Sequence, residues 1–343
     1  MFCKGLSHQR WYLTKRLSIA LSVVSGVTVL SAPSLAGPDA DPIPGVSGSS
    51  TPPGSPSATP PAADTPAKTL FGAVKTPAPL AARASGYYSK GCLAGAQRLP
   101  IDGPEWQAMR LSRNRNWGHP ALISFLERFA SDVRRLDGWP GLLVGDLSQP
   151  RGGPMSSGHA SHQVGLDADI WYVPMPDYRL TRKQREEISA ADMLVPGQLV
   201  VNTKIWTADH IRMLKRAASF GEVERIFVHP AIKKSLCEAT VHDPDRTWLS
   251  KMRPIWGHAD HFHVRIRCPE GMAGCQPQPQ PANEDGCGKE LTDWFALLTA
   301  PPKPQIFPEA PPKPLTLDKL PADCRTVLSA AQASKGTAVP ANK

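Results

Sequence analysis

The chain of 343 residues contains no Cys-x-x-Cys pair, no His-Glu-x-x-His run, no internal repeat and, beyond residue 36, no apolar stretch long enough to cross a bilayer. The first absence argues against a cysteine-built structural zinc site, whose thiolates usually come in closely spaced pairs. The second removes the helical metalloprotease motif together with its glutamate base. The last excludes a membrane span after the leader, because such a helix needs about 20 apolar residues. Acidic residues are missing from the first 36 positions, where Lys4, Arg10, Lys15 and Arg16 supply four of the nine net positive charges. A chain without that leader carries +5, a modest excess that suits an anionic polymer such as a cell wall better than nucleic acid.

What is present divides the chain into four parts. Residues 1–36 read as a secretory signal peptide: the basic residues precede an apolar run from Leu17 to Leu30, and Ser34-Leu35-Ala36 offers the small residues of a cut after Ala36. Residues 37–84 are dominated by Pro, Ala, Ser, Thr and Gly and are expected to form a disordered linker, too poor in large apolar groups to offset the entropy of ordering. Residues 85–300 suffice for one domain with a substantial core, and 301–343 form a Pro-rich tail. Six cysteines follow the leader, an even number that fits an oxidising compartment. Pro269, Gly271 and Gly274 make Cys268 with Cys275 the easiest pair to close. Cys92, Cys237, Cys287 and Cys324 lie far apart and are expected to tie the ends of the domain to its body, with Cys324 pinning the tail.

Within the domain, Ala121, Leu122, Phe125, Leu126, Phe129, Val133 and Leu136 recur at helical spacing until Gly138-Trp139-Pro140 stops them. Thr207 is the expected N-cap of a second helix carrying Ile211, Leu214 and Ala218. Strands are predicted over 142–144, 164–173, 225–228 and 261–267. Helices and strands mixed without regular βαβ spacing predict an α+β fold with a central, largely antiparallel sheet and flanking helices.

Two segments carry the chemistry. His-Ala-Ser-His-Gln-Val-Gly-Leu-Asp-Ala-Asp at 159–169 and His-Ala-Asp-His-Phe-His at 258–263 hold five of the ten histidines and three carboxylates. Imidazole nitrogen and carboxylate oxygen are the ligands that divalent metals such as zinc prefer, and three of them plus water is a catalytic arrangement. In strands, His261 and His263 share one face and so do Asp167 and Asp169, so one carboxylate can bind metal while the other orients a ligand from behind. Glycines at 158 and 165 permit a tight loop that returns His162 towards Asp169. Isolated His210 and His229 read as ordinary hydrogen-bonded residues. Arg265 and Arg267 share the His-x-His face and either meet substrate carboxylates or form ion pairs.

The pattern His162-x₆-Asp169 followed distantly by His261-x-His263 resembles the zinc signature of lysostaphin-type peptidases, D-Ala-D-Ala metallopeptidases and the hedgehog amino-terminal domain. With the strings 156–170, Arg-Ile-Phe-Val-His-Pro-Ala-Ile-Lys at 225–233 and His-Val-Arg-Ile-Arg-Cys-Pro at 263–269, the chain resembles the penicillin-insensitive murein endopeptidase family over roughly residues 85–300 and, through its cysteines, as far as Cys324. The resemblance implies a periplasmic zinc endopeptidase that hydrolyses D-alanyl-meso-diaminopimelate cross-links of peptidoglycan and is insensitive to β-lactams. By position it implies His162, Asp169 and His263 as zinc ligands and His261 as the proton-handling catalytic residue. It implies the disulfides Cys92–Cys324, Cys237–Cys287 and Cys268–Cys275. His159 corresponds to a second-metal ligand or a substrate contact, but the other ligands of that position fall near Pro196 and Leu199, so one zinc per chain is expected. Asp167 and His258 are left as support. A zinc D,D-carboxypeptidase acting on stem peptides, or a noncatalytic zinc-containing wall-binding module, fits the same ligands. Nothing calls for nucleic acid, membrane contact is peripheral at most, and a homodimer is compatible with the sequence without being derivable from it.

Overall fold

A computed structural model describes residues 64–282, 284–301 and 314–331. The expected leader with its cut after Ala36, residues 37–63 of the expected linker, and residues 302–313 and 332–343 of the tail lie outside the described residues. In chain order the elements are α1 (Ala67–Ala73), β1 (Arg83–Tyr87), β2 (Lys90–Ala94), β3 (Gln97–Arg98), β4 (Trp106–Ala108), β5 (Trp117–Gly118), α2 (Pro120–Asp137), β6 (Leu142–Val144), β7 (Asp167–Trp171), α3 (Arg182–Glu187), α4 (Ala208–Ser219), β8 (Val223–Val228), α5 (Pro230–Ala239), β9 (Met252–Pro254), β10 (His261–Ile266), α6 (Lys289–Thr299) and α7 (Asp323–Ser329). Among the described residues no helix is long and apolar enough to cross a membrane.

Six strands form the central sheet in the order β4-β6-β7-β10-β8-β9. Its middle pairings, β6 with β7, β7 with β10 and β10 with β8, are antiparallel as expected. Both edge pairings, β4 with β6 and β8 with β9, are parallel, so the sheet is mixed. The reason is visible in the connections: α2 lies between β4 and β6 and α5 between β8 and β9, and a helical crossover returns the chain in the same direction. The strand expected over 164–173 is shorter, because residues 158–166 are spent on a loop that the site needs.

The longest helix among the described residues, α2, forms where the periodicity predicts it. His119 caps it by accepting the Ala121 N–H on Nδ1, Pro120 occupies the first turn, and Gly138 closes it in the left-handed region at φ 72°. Leu122, Phe125, Leu126, Phe129 and Val133 are buried, whereas Leu136, the last apolar member of the pattern, stays exposed. This face packs on Ala168, Ile170, Phe262 and Val264, which project from one side of β7 and β10. The rings of Phe129 and Phe262 meet edge to face at 6.4 Å. Each such fully buried side chain contributes about 1.5–3 kcal/mol, so the helix holds one face of the sheet rigidly and leaves the other to carry polar groups.

The expected linker boundary at residue 84 is too late. Residues 67–73 form α1, and Ala67, Phe71 and Ala78 are buried against Cys92, Ala94, Leu320, Cys324 and Val327 in a second, smaller core. A Pro- and Ala-rich composition averages away the one aromatic that matters: Phe71 lies so close to Gly153 that a Cβ there would fall 2.2 Å from its ring. Arg151 binds the same unit together from within, since its Nη1 donates to the carbonyls of Val327, Leu328 and Ala330 at the end of α7 and its Nε to Thr76. Those carbonyls have no partner within the helix, which is why a buried cation is tolerated there. The disulfides are Cys92–Cys324, Cys237–Cys287 and Cys268–Cys275, the first of them stapling α7 to β2.

Candidate metal centre

The polar face of the sheet follows from register. In the antiparallel β7–β10 pair, His261 lies opposite Trp171, His263 opposite Asp169 and Arg265 opposite Asp167. Alternation therefore puts all six side chains on the face away from α2. His263 and Asp167 are locked together, with His263 Nε2 2.7 Å from Asp167 Oδ1, and Arg265 Nε donates to that oxygen at 2.7 Å. Arg265 thus resolves the two readings of its role. It is buried, paired with Asp167, and its guanidinium lies over Tyr88 and Phe227 at 4.1 and 5.0 Å, so it forms an internal ion pair. Arg267 is exposed and donates to the Gly221 carbonyl.

The loop before β7 brings the remaining donors in. Gly158 and Gly165 have φ of 82° and 72°, and at Gly165 a side chain would also strike Leu93 and the His119 amide. His162 itself is left-handed at φ 66°, a conformation costly for a residue with a Cβ. That strain is offset by three hydrogen bonds: its amide donates to Asp167 Oδ2 at 3.2 Å, its carbonyl accepts from Ser148 Oγ at 2.6 Å, and its Nδ1 lies 2.7 Å from the Leu147 carbonyl. The Nδ1 contact needs a proton on Nδ1, which leaves a lone pair on Nε2.

Around Asp169 the donors converge. His162 Nε2 lies 3.3 Å, His263 Nδ1 3.6 Å and His261 Nε2 3.8 Å from Asp169 Oδ1, while His159 Nδ1 lies 3.4 Å from Oδ2. His159, His162 and Asp169 each offer a ligand atom within 4.8 Å of the other two. Tetrahedral zinc with bonds near 2.0–2.1 Å holds its ligands roughly 3.3 Å apart, so these spacings fit an ion of that kind. The chemistry of the donors fits as well. His162 Nε2 and Asp169 Oδ1 are buried and have no hydrogen-bond partner, a combination that is costly unless something else binds them.

A family model described as penicillin-insensitive murein endopeptidase matches residues 84–329. The chain belongs to this family. A penicillin-insensitive murein endopeptidase of Pectobacterium atrosepticum is 42% identical over 262 residues, which cover 76% of this chain and 89% of the relative. Proteins of the same name from Escherichia coli and Klebsiella pneumoniae are 41% and 39% identical, over 76% of this chain and 92% of each relative.

As a murein endopeptidase family member, the chain surrounds this cluster with groups that sequence reasoning did not single out. Asp146 accepts from Arg113 at 3.0 Å, from Arg115 at 2.9 Å and approaches His159 Nε2 at 3.0 Å, all on Oδ2. Burial alone would raise its pKa, but the His159 hydrogen bond and the two guanidinium groups outweigh it and bring it to about 2. The signal was a carboxylate two positions beyond the buried strand 142–144. Asp260, inside the second histidine segment, lies 2.6 Å from His261 Nδ1. Burial opposes a charge on His261, yet Asp260 and Asp169 more than compensate and its pKa is raised. His258 contacts the Trp256 carbonyl at 3.0 Å and its ring is 4.9 Å from that of His261; burial and then His261 lower its pKa. Pro196 and Leu199 offer no ligand atoms, and His210 and His229 serve at the first turns of α4 and α5.

Proposed function

We propose that the chain is a periplasmic zinc endopeptidase that hydrolyses D-alanyl-meso-diaminopimelate cross-links in peptidoglycan and is insensitive to β-lactams. The observation that carries the reading is the pair of orphaned buried atoms, His162 Nε2 and Asp169 Oδ1, facing each other beside His263 Nδ1 in a chain of this family. His162, Asp169 and His263 are the ligands of a single zinc. Their atoms meet at Asp169 Oδ1, whereas His159 faces the other oxygen and spends its second nitrogen on Asp146. The relatives' shared name supports the substrate class, and the leader at 1–36 supports export.

When bound, zinc supplies a Lewis acid for the scissile carbonyl and a water acidified towards a pKa of about 7. The rest is done by side chains of the chain itself. Asp167 and the Leu147 carbonyl fix the tautomers of His263 and His162, so each presents a lone pair to the centre. Asp260 holds His261 at Nδ1 and leaves Nε2 facing the reacting groups. Hydrolysis breaks the amide C–N bond and yields the D-alanyl carboxylate and the free amine of diaminopimelate. His261 Nε2 is placed to take a proton from the attacking water and return it to the departing amine. With Asp169 engaged by a cation, the upward pull on His261 rests mainly on Asp260. No serine is acylated in this scheme, which accounts for the insensitivity to β-lactams.

Purified protein incubated with soluble cross-linked muropeptide dimers is expected to release monomers, to stop with a chelator and to resume with added zinc. Intact dimers alongside demonstrated zinc binding would reject the reading. Free D-alanine released from pentapeptide monomers, with dimers untouched, would assign a carboxypeptidase instead.

A further inference from the structure

The cavity that contains His159, Asp169 and His261 has a volume of about 260 Å³ and is also lined by Arg110, Arg113 and Trp171. Nearby arginines are neutralised internally: Arg113 and Arg115 by Asp146, Arg185 by Asp102, Arg265 by Asp167. Arg110 differs. Among the described residues it forms no ion pair, and its one side-chain hydrogen bond is a 3.5 Å contact from Nη1 to the Arg185 carbonyl. Its guanidinium lies over the Trp171 ring, 5.5 Å from the centroid. The backbone at Arg110 is left-handed, φ 53° and ψ 45°, and is held there by its amide donating to the Arg185 carbonyl at 3.1 Å. A strained residue that presents an unneutralised, aromatic-backed guanidinium to a reaction cavity has the attributes of a ligand-binding group.

We propose that Arg110 is a specificity residue that binds a carboxylate on the leaving-amine side of the peptide substrate. The inference rests on the endopeptidase reading above. Its direction comes from the shared cavity: His261, which returns the proton to the amine, and Asp260 line the same space as Arg110. The neighbouring cavity, about 310 Å³, is lined by Phe227, Ile255 and His263 and has its own arginine, Arg265, already paired, so it suits the D-alanyl side. In a D-alanyl-diaminopimelate bond the carbon bearing the leaving amine also bears a carboxylate, and the same acceptor stem ends in a second one. A planar guanidinium stacked on an indole meets either of them with two parallel N–H donors and little loss of side-chain freedom.

Three soluble dimers separate the sources: one unmodified, one amidated at the diaminopimelate carboxylate beside the scissile bond, and one amidated at the terminal D-alanine carboxylate of the acceptor stem. We expect the wild type to cut the first at least about 10-fold better in kcat/KM than whichever amide removes the recognised group. Arg110→Gln should lose about 10- to 100-fold on the unmodified dimer and less than about 3-fold on that amide, with Arg110→Lys in between. Equal losses on all three dimers, or none, would overturn the proposal and assign Arg110 a structural role. Should Arg110→Gln fail to fold, the wild type decides alone, since equal cutting of the three dimers overturns it. A wild type that cuts none of them overturns the endopeptidase reading itself, and the inference with it.

Discussion

Asp167 is buried and accepts from His263, Arg265 and the His162 amide, so one carboxylate joins the proposed ligands on two separate segments. Replacing it with Asn leaves a neutral amide that can no longer hold the Arg265 guanidinium, the His162 amide and the His263 tautomer together. Zinc affinity of Asp167→Asn, measured by chelator competition, is expected to fall about 10- to 100-fold; an unchanged affinity would contradict its supporting role. Asp146 makes a different prediction. Its folded pKa of about 2 lies below its ordinary 3.8, so the stabilisation it provides is present above about pH 4 and is lost as pH falls towards 2. The unfolding free energy of wild type minus that of Asp146→Asn should therefore shrink by something on the order of 2 kcal/mol between pH 5 and pH 2. A difference independent of pH would sink that account. At this scale Asp169, His261 and His263 were legible because strand alternation orients them, and His162 because glycines at 158 and 165 allow the loop that returns it. Asp146 and Asp260 were not, since their partners are supplied by a fold-back loop and by the turn of the histidine segment itself.

Among the elements, α2 and α4 were legible because apolar spacing and caps agree locally. The edge strands were not, because β4 and β9 have three residues each and owe their direction to the helical crossovers, α2 after β4 and α5 before β9. Nor was the β1–β2 hairpin, whose Ala84, Ser85, Gly86 and Gly91 carry little β propensity and are held by distant partners. Gly86 donates to the Gly274 carbonyl, and Ser85 Oγ to Asp323. The Cys92–Cys324 bridge closes 232 positions and secures this unit to α7. Replacing both cysteines with Ser is expected to cost about 2–5 kcal/mol in denaturant unfolding. The same midpoint and slope as wild type would show that the smaller core holds without it.

At the scale of the whole molecule, the fold assigns one face of a mixed sheet to packing and the other to chemistry. Ala168, Ile170, Phe262 and Val264 fix the strands against α2, and the alternate residues of the same two strands supply Asp167, Asp169, His261 and His263. The proposed metal site and core packing are thus two halves of one register, and a shift of one residue would destroy both. The family supplies the reaction class, while the proposed single-ion arrangement rests on this chain's own residues, with Pro196 and Leu199 lacking side-chain donors and His159 turned to Asp146. The most direct test is the zinc content of dialysed wild type, His263→Ala and His159→Ala, each checked to be folded. The account predicts one zinc per chain in wild type, one retained in His159→Ala and none in His263→Ala. Two ions per wild-type chain, or zinc lost from His159→Ala and kept by His263→Ala, would contradict it.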